Sequence, residues 1–156
     1  SEFGQSSEWD FQNSLDWYLL QYPFHNGIKL TITKLNALYK SEPALHEKQF
    51  SPEGFEWINY SDHQNAVMSF IRKGNDPKDD LIIVLNFTQV VRENYQIGIP
   101  KKGKLVEIFN SDEVDFGGSG LKNSKKITID ANPYDGKEYS ATISLPPLAV
   151  IVFKIA

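Results

Sequence analysis

Apolar residues recur at two different periods along this chain, and the change from one to the other falls between Pro43 and Pro52. Ahead of that point Ile28, Ile32, Leu35 and Leu38 with Tyr39 are separated by steps of four and three, the spacing that lines one face of a helix. Asn26-Gly27 is the expected start. Pro43 disfavours helical geometry at Glu42 and cannot continue the hydrogen-bond ladder, so the helix is expected to stop at Lys40 or Ser41, after about three turns.

Past Pro52 the chain breaks into eight short β-rich runs, at 55–60, 66–72, 81–87, 95–99, 104–110, 127–129, 139–145 and 149–155, separated by clusters of Gly, Pro, Asn and Asp. The runs at Leu81 and Ala149 are almost continuously apolar and are expected to be central strands. The run from Tyr139 alternates, which predicts one wet face. Short strands with no helix between them imply antiparallel pairing in a two-sheet Greek-key β-sandwich. The expected fold class is therefore mainly β, with one helix and a loop ahead of the sandwich. The boundary puts 1–50 in one part and 51–156 in the other.

Composition narrows the functions available. At 156 residues, 40% hydrophobic and 23% charged, the chain reads as globular and has room for one domain with a short appendage. A net charge of −4 gives a nucleic acid no general attraction, so a neutral partner is expected. The absence of cysteine removes disulfides, thiolate metal sites and cysteine nucleophiles. No apolar run is long enough to span a membrane, and a cytoplasmic location is the expectation. A chain opening at Ser1 without methionine reads as excised, and Ser1 to Phe3 read either as native or as a cloning remnant.

Candidate chemistry is sparse. His25, His46 and His63 sit in unrelated contexts and read as structural or solvated. Asp112, Glu113 and Asp115 form the densest acidic group, but their spacing matches no calcium loop; with Gly117, Gly118 and Gly120 they predict a solvated, mobile loop. No metal or cofactor is expected. Phe55, Trp57 and Tyr60 read as core or edge-packing residues. Trp9 and Trp17 fall in a polar stretch where no core periodicity accounts for them.

Several strings carry a resemblance. Glu2-Phe3-Gly4-Gln5, Glu8-Trp9, Leu15-Asp16-Trp17, Leu35-Asn36-Ala37-Leu38-Tyr39, Pro43-Ala44-Leu45-His46 and Gly54-Phe55-Glu56-Trp57-Ile58 stand in the order found in bacterial 1,4-α-glucan (glycogen) branching enzymes. Asn86-Phe87-Thr88, Tyr95 to Pro100, Asn110-Ser111-Asp112, Gly117 to Gly120 and Leu145 to Ala149 extend it over essentially the whole chain, with Val91-Arg92 as a local departure. The resemblance implies the α-amylase superfamily, with a catalytic (β/α)8 barrel followed by an all-β C-terminal domain. Residues 1–50 would then be the end of the barrel (last strand end, loop and last helix), and 51–156 the β domain.

The catalytic carboxylates would lie upstream, so no catalytic residue is assigned here. The implied partners are the upstream barrel and α-glucan, with no nucleic acid, membrane or cofactor. Gln5 and Trp9 would lie on the catalytic side as candidate glucan contacts, Gln5 by hydrogen bonding and Trp9 by stacking, unless they brace the loop. The alternative is a stand-alone β-sandwich that binds carbohydrate or protein, which the native sequence upstream of Ser1 would discriminate.

Overall fold

The computed structural model describes residues 2–156, and the part of the barrel-end reading that rests on Ser1 lies outside them. Helix α1 spans Pro23–Ser41, and the strands are β1 Phe55–Asp62, β2 Val67–Arg72, β3 Leu81–Asn86, β4 Arg92–Ile99, β5 Lys104–Asn110, β6 Ile127–Thr128, β7 Tyr139–Leu145 and β8 Val150–Ile155. They form the expected antiparallel two-layer arrangement. A six-stranded sheet runs β1-β2-β3-β8-β5-β6, and β4 pairs with β7 as a second layer.

The two apolar runs do become the middle of the large sheet, and the reason is visible in where their side chains go. Ile82 and Val84 of β3, with Ile151 and Phe153 of β8, point to the inner face and pack against Ile97 and Ile99 of β4 and Ala141, Ile143 and Leu145 of β7. Leu81, Ile83 and Val152 point to the outer face and meet Leu38 of α1, Ala44 and Phe109. Both faces of this strand pair are buried, so residues 81–85 and 150–153 alternate without a polar position, and Asn86 and Lys154 come only toward the strand ends. Each of the buried apolar side chains contributes about 1.5–3 kcal/mol of burial.

The helix begins earlier than Asn26-Gly27. Pro23 occupies its first turn, where a missing N–H costs nothing. Gly27 is interior, and its lack of a side chain serves packing: a Cβ there would stand 3.0 Å from the Phe116 carbonyl oxygen. The helix ends at Ser41, as expected, and Glu42 just beyond it pairs with Lys154 of β8 at 2.8 Å. Ile28, Leu35 and Tyr39 of the predicted stripe remain exposed, while Leu38 is buried on the sheet.

The loop after β5 also departs from expectation. Val114 and Asp115 at its tip are solvated, but its start is not: Asp112 is buried, and its carboxylate closes the loop by accepting from Ser119 N at 2.8 Å, Ser119 Oγ at 2.5 Å and Leu121 N at 3.1 Å. Buried Asn110 supports it by accepting from Asp112 N at 2.9 Å and donating to the Leu121 carbonyl at 2.9 Å. Gly118 lies so close to the Asp112 backbone that any side chain there would collide with it. The closed loop holds Phe116 against Phe109, with ring centroids 6.1 Å apart, and beneath Gly27 of α1.

This clasp makes a prediction. Asp112→Ala strands three donors and should destabilise the chain by about 3 kcal/mol, with α1 losing hydrogen-exchange protection before the β3–β8 pair does. Chemical denaturation and hydrogen exchange measure it. A loss below about 1 kcal/mol would show that the loop closes without this carboxylate.

Candidate functional site

Residues 2–22 form no strand and only a short 3₁₀ turn at Trp17–Gln21, so side chains rather than backbone ladders shape them. Phe3 anchors the segment. It is 3% exposed, its ring stacks on Trp17 at 5.2 Å, and its carbonyl accepts from His25 Nδ1 at 2.8 Å. The latter contact gives His25 the structural role expected of it.

Gln5 ties the two ends of the following loop together. Its Oε1 accepts from Asp16 N at 2.9 Å and its Nε2 donates to the Ser7 carbonyl at 3.1 Å, while Ser7 Oγ donates to the Asp16 carboxylate. Within the loop, Asp10 accepts from Gln12 N at 2.9 Å and from Asn13 Nδ2 at 2.6 Å. The Gln12 N–H, followed by the Asn13 amide, holds the Asp10 carboxyl below the usual carboxylate range. The local turn is thus built on an ionised carboxylate.

This bracing leaves an open cleft of about 640 Å³. Its apolar lining comes from Phe3, Trp9, Leu15 and Trp17, and its polar rim from Glu2, Gln5, Ser7 and Lys29 of α1. Trp9 is 76% exposed, with the Phe11 ring tilted beside it at 6.4 Å. Aromatic faces beside a few polar groups suit a neutral, polyhydroxylated ligand whose C–H surfaces stack and whose hydroxyls hydrogen-bond. Among the described residues the lining contains one carboxylate, Glu2, where breaking a glycosidic bond calls on an acid and base pair. The arrangement suits binding.

Both sequence-derived candidates thus line one cleft. Gln5 meets it as a part of the loop brace, and Trp9 as an exposed ring. Phe3, Leu15 and Lys29 were not among the candidates. Lys29 lies between Ile28 and Leu30 on a helix whose orientation toward the loop is a tertiary fact, so no local signal marks it. Among the described residues, no helix is long and apolar enough to cross a membrane, and no group of three or more His, Asp or Glu side chains is placed to hold a metal ion.

The family described as alpha amylase, C-terminal all-beta domain, matches residues 57–156. The chain is also similar over nearly its whole length to proteins named 1,4-alpha-glucan branching enzyme. It is 46% identical over 153 residues to one from Aquifex aeolicus, 48% over 154 residues to one from Nitrosococcus oceani, and 44% over 156 residues to one from Marinobacter nauticus. The matches take in 98%, 99% and 99% of this chain but 24%, 20% and 25% of those proteins. The chain therefore spans a quarter or less of the length of these relatives.

The two candidates should respond differently to truncation. Gln5→Ala releases Asp16 N and the Ser7 carbonyl, at about 0.5–1.5 kcal/mol per hydrogen bond, and should make residues 5–16 several-fold more sensitive to limited proteolysis. Trp9→Ala should leave that sensitivity unchanged, since an exposed ring braces nothing. Equal cleavage of the Gln5 variant and the parent chain would show that the loop is held by other contacts.

Proposed function

This chain belongs to the α-amylase C-terminal all-β domain family, and we propose that it is the C-terminal part of a 1,4-α-glucan branching enzyme. The observation that carries this reading is the near-complete match of the chain, at 44–48% identity, to proteins of that name four to five times its matched length. In the whole enzyme, an α-1,4 bond of a glucan is cleaved, the chain is held as a covalent glycosyl-enzyme, and it passes to a 6-hydroxyl instead of to water. That chemistry calls on a pair of carboxylates. They would belong to an upstream catalytic barrel, and residues 51–156 would contribute structure. A cytoplasmic location in glycogen synthesis goes with this reading.

Residues 1–50 would complete the barrel, with α1 as its last helix. The exposure of Ile28, Leu35 and Tyr39 on α1 supports this, because an isolated domain gains nothing from a bare apolar stripe. The cleft at Trp9 would then lie among the loops that line the barrel's substrate side. Trp9 is the proposed stacking contact for a glucan chain. Gln5 serves by holding the loop that carries it, its amide being engaged by Asp16 and Ser7.

The purified 156-residue chain should form no α-1,6 branches on amylose, whereas the full-length polypeptide should form them, as scored by debranching and chain-length analysis. In the full-length polypeptide, Trp9→Ala should lower transfer several-fold and move the melting midpoint by no more than about 2 °C, as an exposed site allows. Branch formation by the isolated chain would overturn the reading, as would a full-length polypeptide that only hydrolyses. Unchanged transfer by the Trp9 variant would remove the proposed glucan contact.

A further inference from the structure

Two exposed aromatic residues of β1 are packed on neighbours. Trp57 meets Phe55 at 4.8 Å and Phe70 at 5.8 Å in edge-to-face contacts, the packing role expected of it. Tyr60 rests on Trp57 at 5.6 Å, brought to the same side of the strand by a slip in register between Trp57 and Asn59. Trp9 and Phe11 differ. They are 76% and 77% exposed, and among the described residues each has the other as its ring contact.

The loop that carries this pair is built without it. Asp10, between the two in sequence, accepts from Gln12 N and Asn13 Nδ2, and Gln5 joins Ser7 to Asp16 across the base. Neither ring takes part in those hydrogen bonds, so the fold of the loop gives no reason for two large apolar groups in water. A protein surface laid over the pair would take the neighbouring Asp10 carboxylate out of water with it, at a cost. A sugar chain, with hydroxyls along its edges, leaves that carboxylate hydrated or hydrogen-bonded.

Position relative to the cleft decides what the second ring can do. Trp9 lines the apolar cleft, whereas Phe11 lines neither that cleft nor the polar recess of about 440 Å³ that shares Gln5, Ser7 and Leu15 with it. Phe11 therefore extends the aromatic surface beyond the cleft.

We infer that Phe11 is a second stacking contact that makes this site favour longer α-glucan chains over short ones. A short chain held in the cleft reaches Trp9, and only a chain that runs on past Trp9 reaches Phe11. The two rings are inclined at 43°, which suits a chain that curves, as α-1,4-linked glucose does, better than a flat one. Glu8, next to Trp9, lines the polar recess and supplies an acceptor for sugar hydroxyls. The inference rests on the reading that the cleft takes glucan, and adds chain length as the property the site distinguishes.

Hydroxyl-radical footprinting of the full-length polypeptide, with mass spectrometry, reads each ring separately and independently of activity. Maltoheptaose should lower the oxidation of both Trp9 and Phe11 several-fold. Maltotriose, at a concentration that protects Trp9 equally, should leave Phe11 unprotected. Protection of Trp9 by maltoheptaose with Phe11 still fully oxidised would overturn the inference and leave the glucan reading of the cleft standing, whereas protection of neither ring would remove both. Equal protection of Phe11 by maltotriose would also overturn it, as would a Phe11 already resistant to oxidation without sugar, which would make the upstream polypeptide its partner. In transfer assays Phe11→Ala should raise KM for amylose several-fold with kcat and the melting midpoint little changed, and Phe11→Trp should restore KM. An unchanged KM in the alanine variant would count against the inference as decisively as the footprint.

Discussion

The pairing of β3 with β8 is the constraint from which the rest of the architecture follows. Leu81 lies across from Lys154 and Leu85 from Val150, and between those ends apolar side chains leave the pair on both faces. A strand pair of this kind has no wet side, so two separate covers must be supplied. The β4–β7 layer supplies one, and its own alternation leaves a polar outer surface. The other cover comes from outside the sandwich, through Leu38 at the end of α1 and Ala44 just beyond it.

That second cover is held by a few partly buried polar contacts. The Asp112 carboxylate closes the loop after β5, the closed loop carries Phe116 to the underside of α1, and Glu42 ties the far end of the helix to Lys154. Because both attachments join α1 to the large sheet, the helix and the sheet form one unit whatever else the helix contacts. The segment before it is fastened to the same unit by Phe3, whose carbonyl accepts from His25 of α1 and whose ring stacks on Trp17 within the segment. The cleft beside Trp9 is thus positioned by the sheet through a chain of three contacts, although it shares no residue with it.

A division of labour follows from this arrangement. The sandwich is a rigid base with a filled inner core. Most of the large apolar residues left exposed lie on α1, on the loop ahead of it and on the outer face of the sheet, with others, such as Phe50, Val114 and Leu148, on loops. A solitary small domain seldom leaves so many large side chains in water. Their concentration on the helix and on the face it partly covers is what an extra layer of protein would relieve, and it fits a chain that spans a quarter or less of its relatives.

The sequence by itself determined the eight strands, the helix and which strands are central, because hydrophobic period is a local property set by backbone geometry. It also carried Trp9 and Gln5 into consideration, through strings that resemble those of branching enzymes. What it left undecided depended on partners distant in the chain. Gly27 reads locally as a helix start and is in fact an interior residue shaved to fit the Phe116 carbonyl. Asp112 to Gly120 read as a solvated loop because the spacing of acids and glycines does not disclose that Ser119 and Leu121 turn back to fill the carboxylate. Tyr60 takes its side of the sheet from a bulge, which breaks the period that sequence reading relies on. Period reports that a face is buried; only the tertiary structure decides what buries it, and how much of it stays bare.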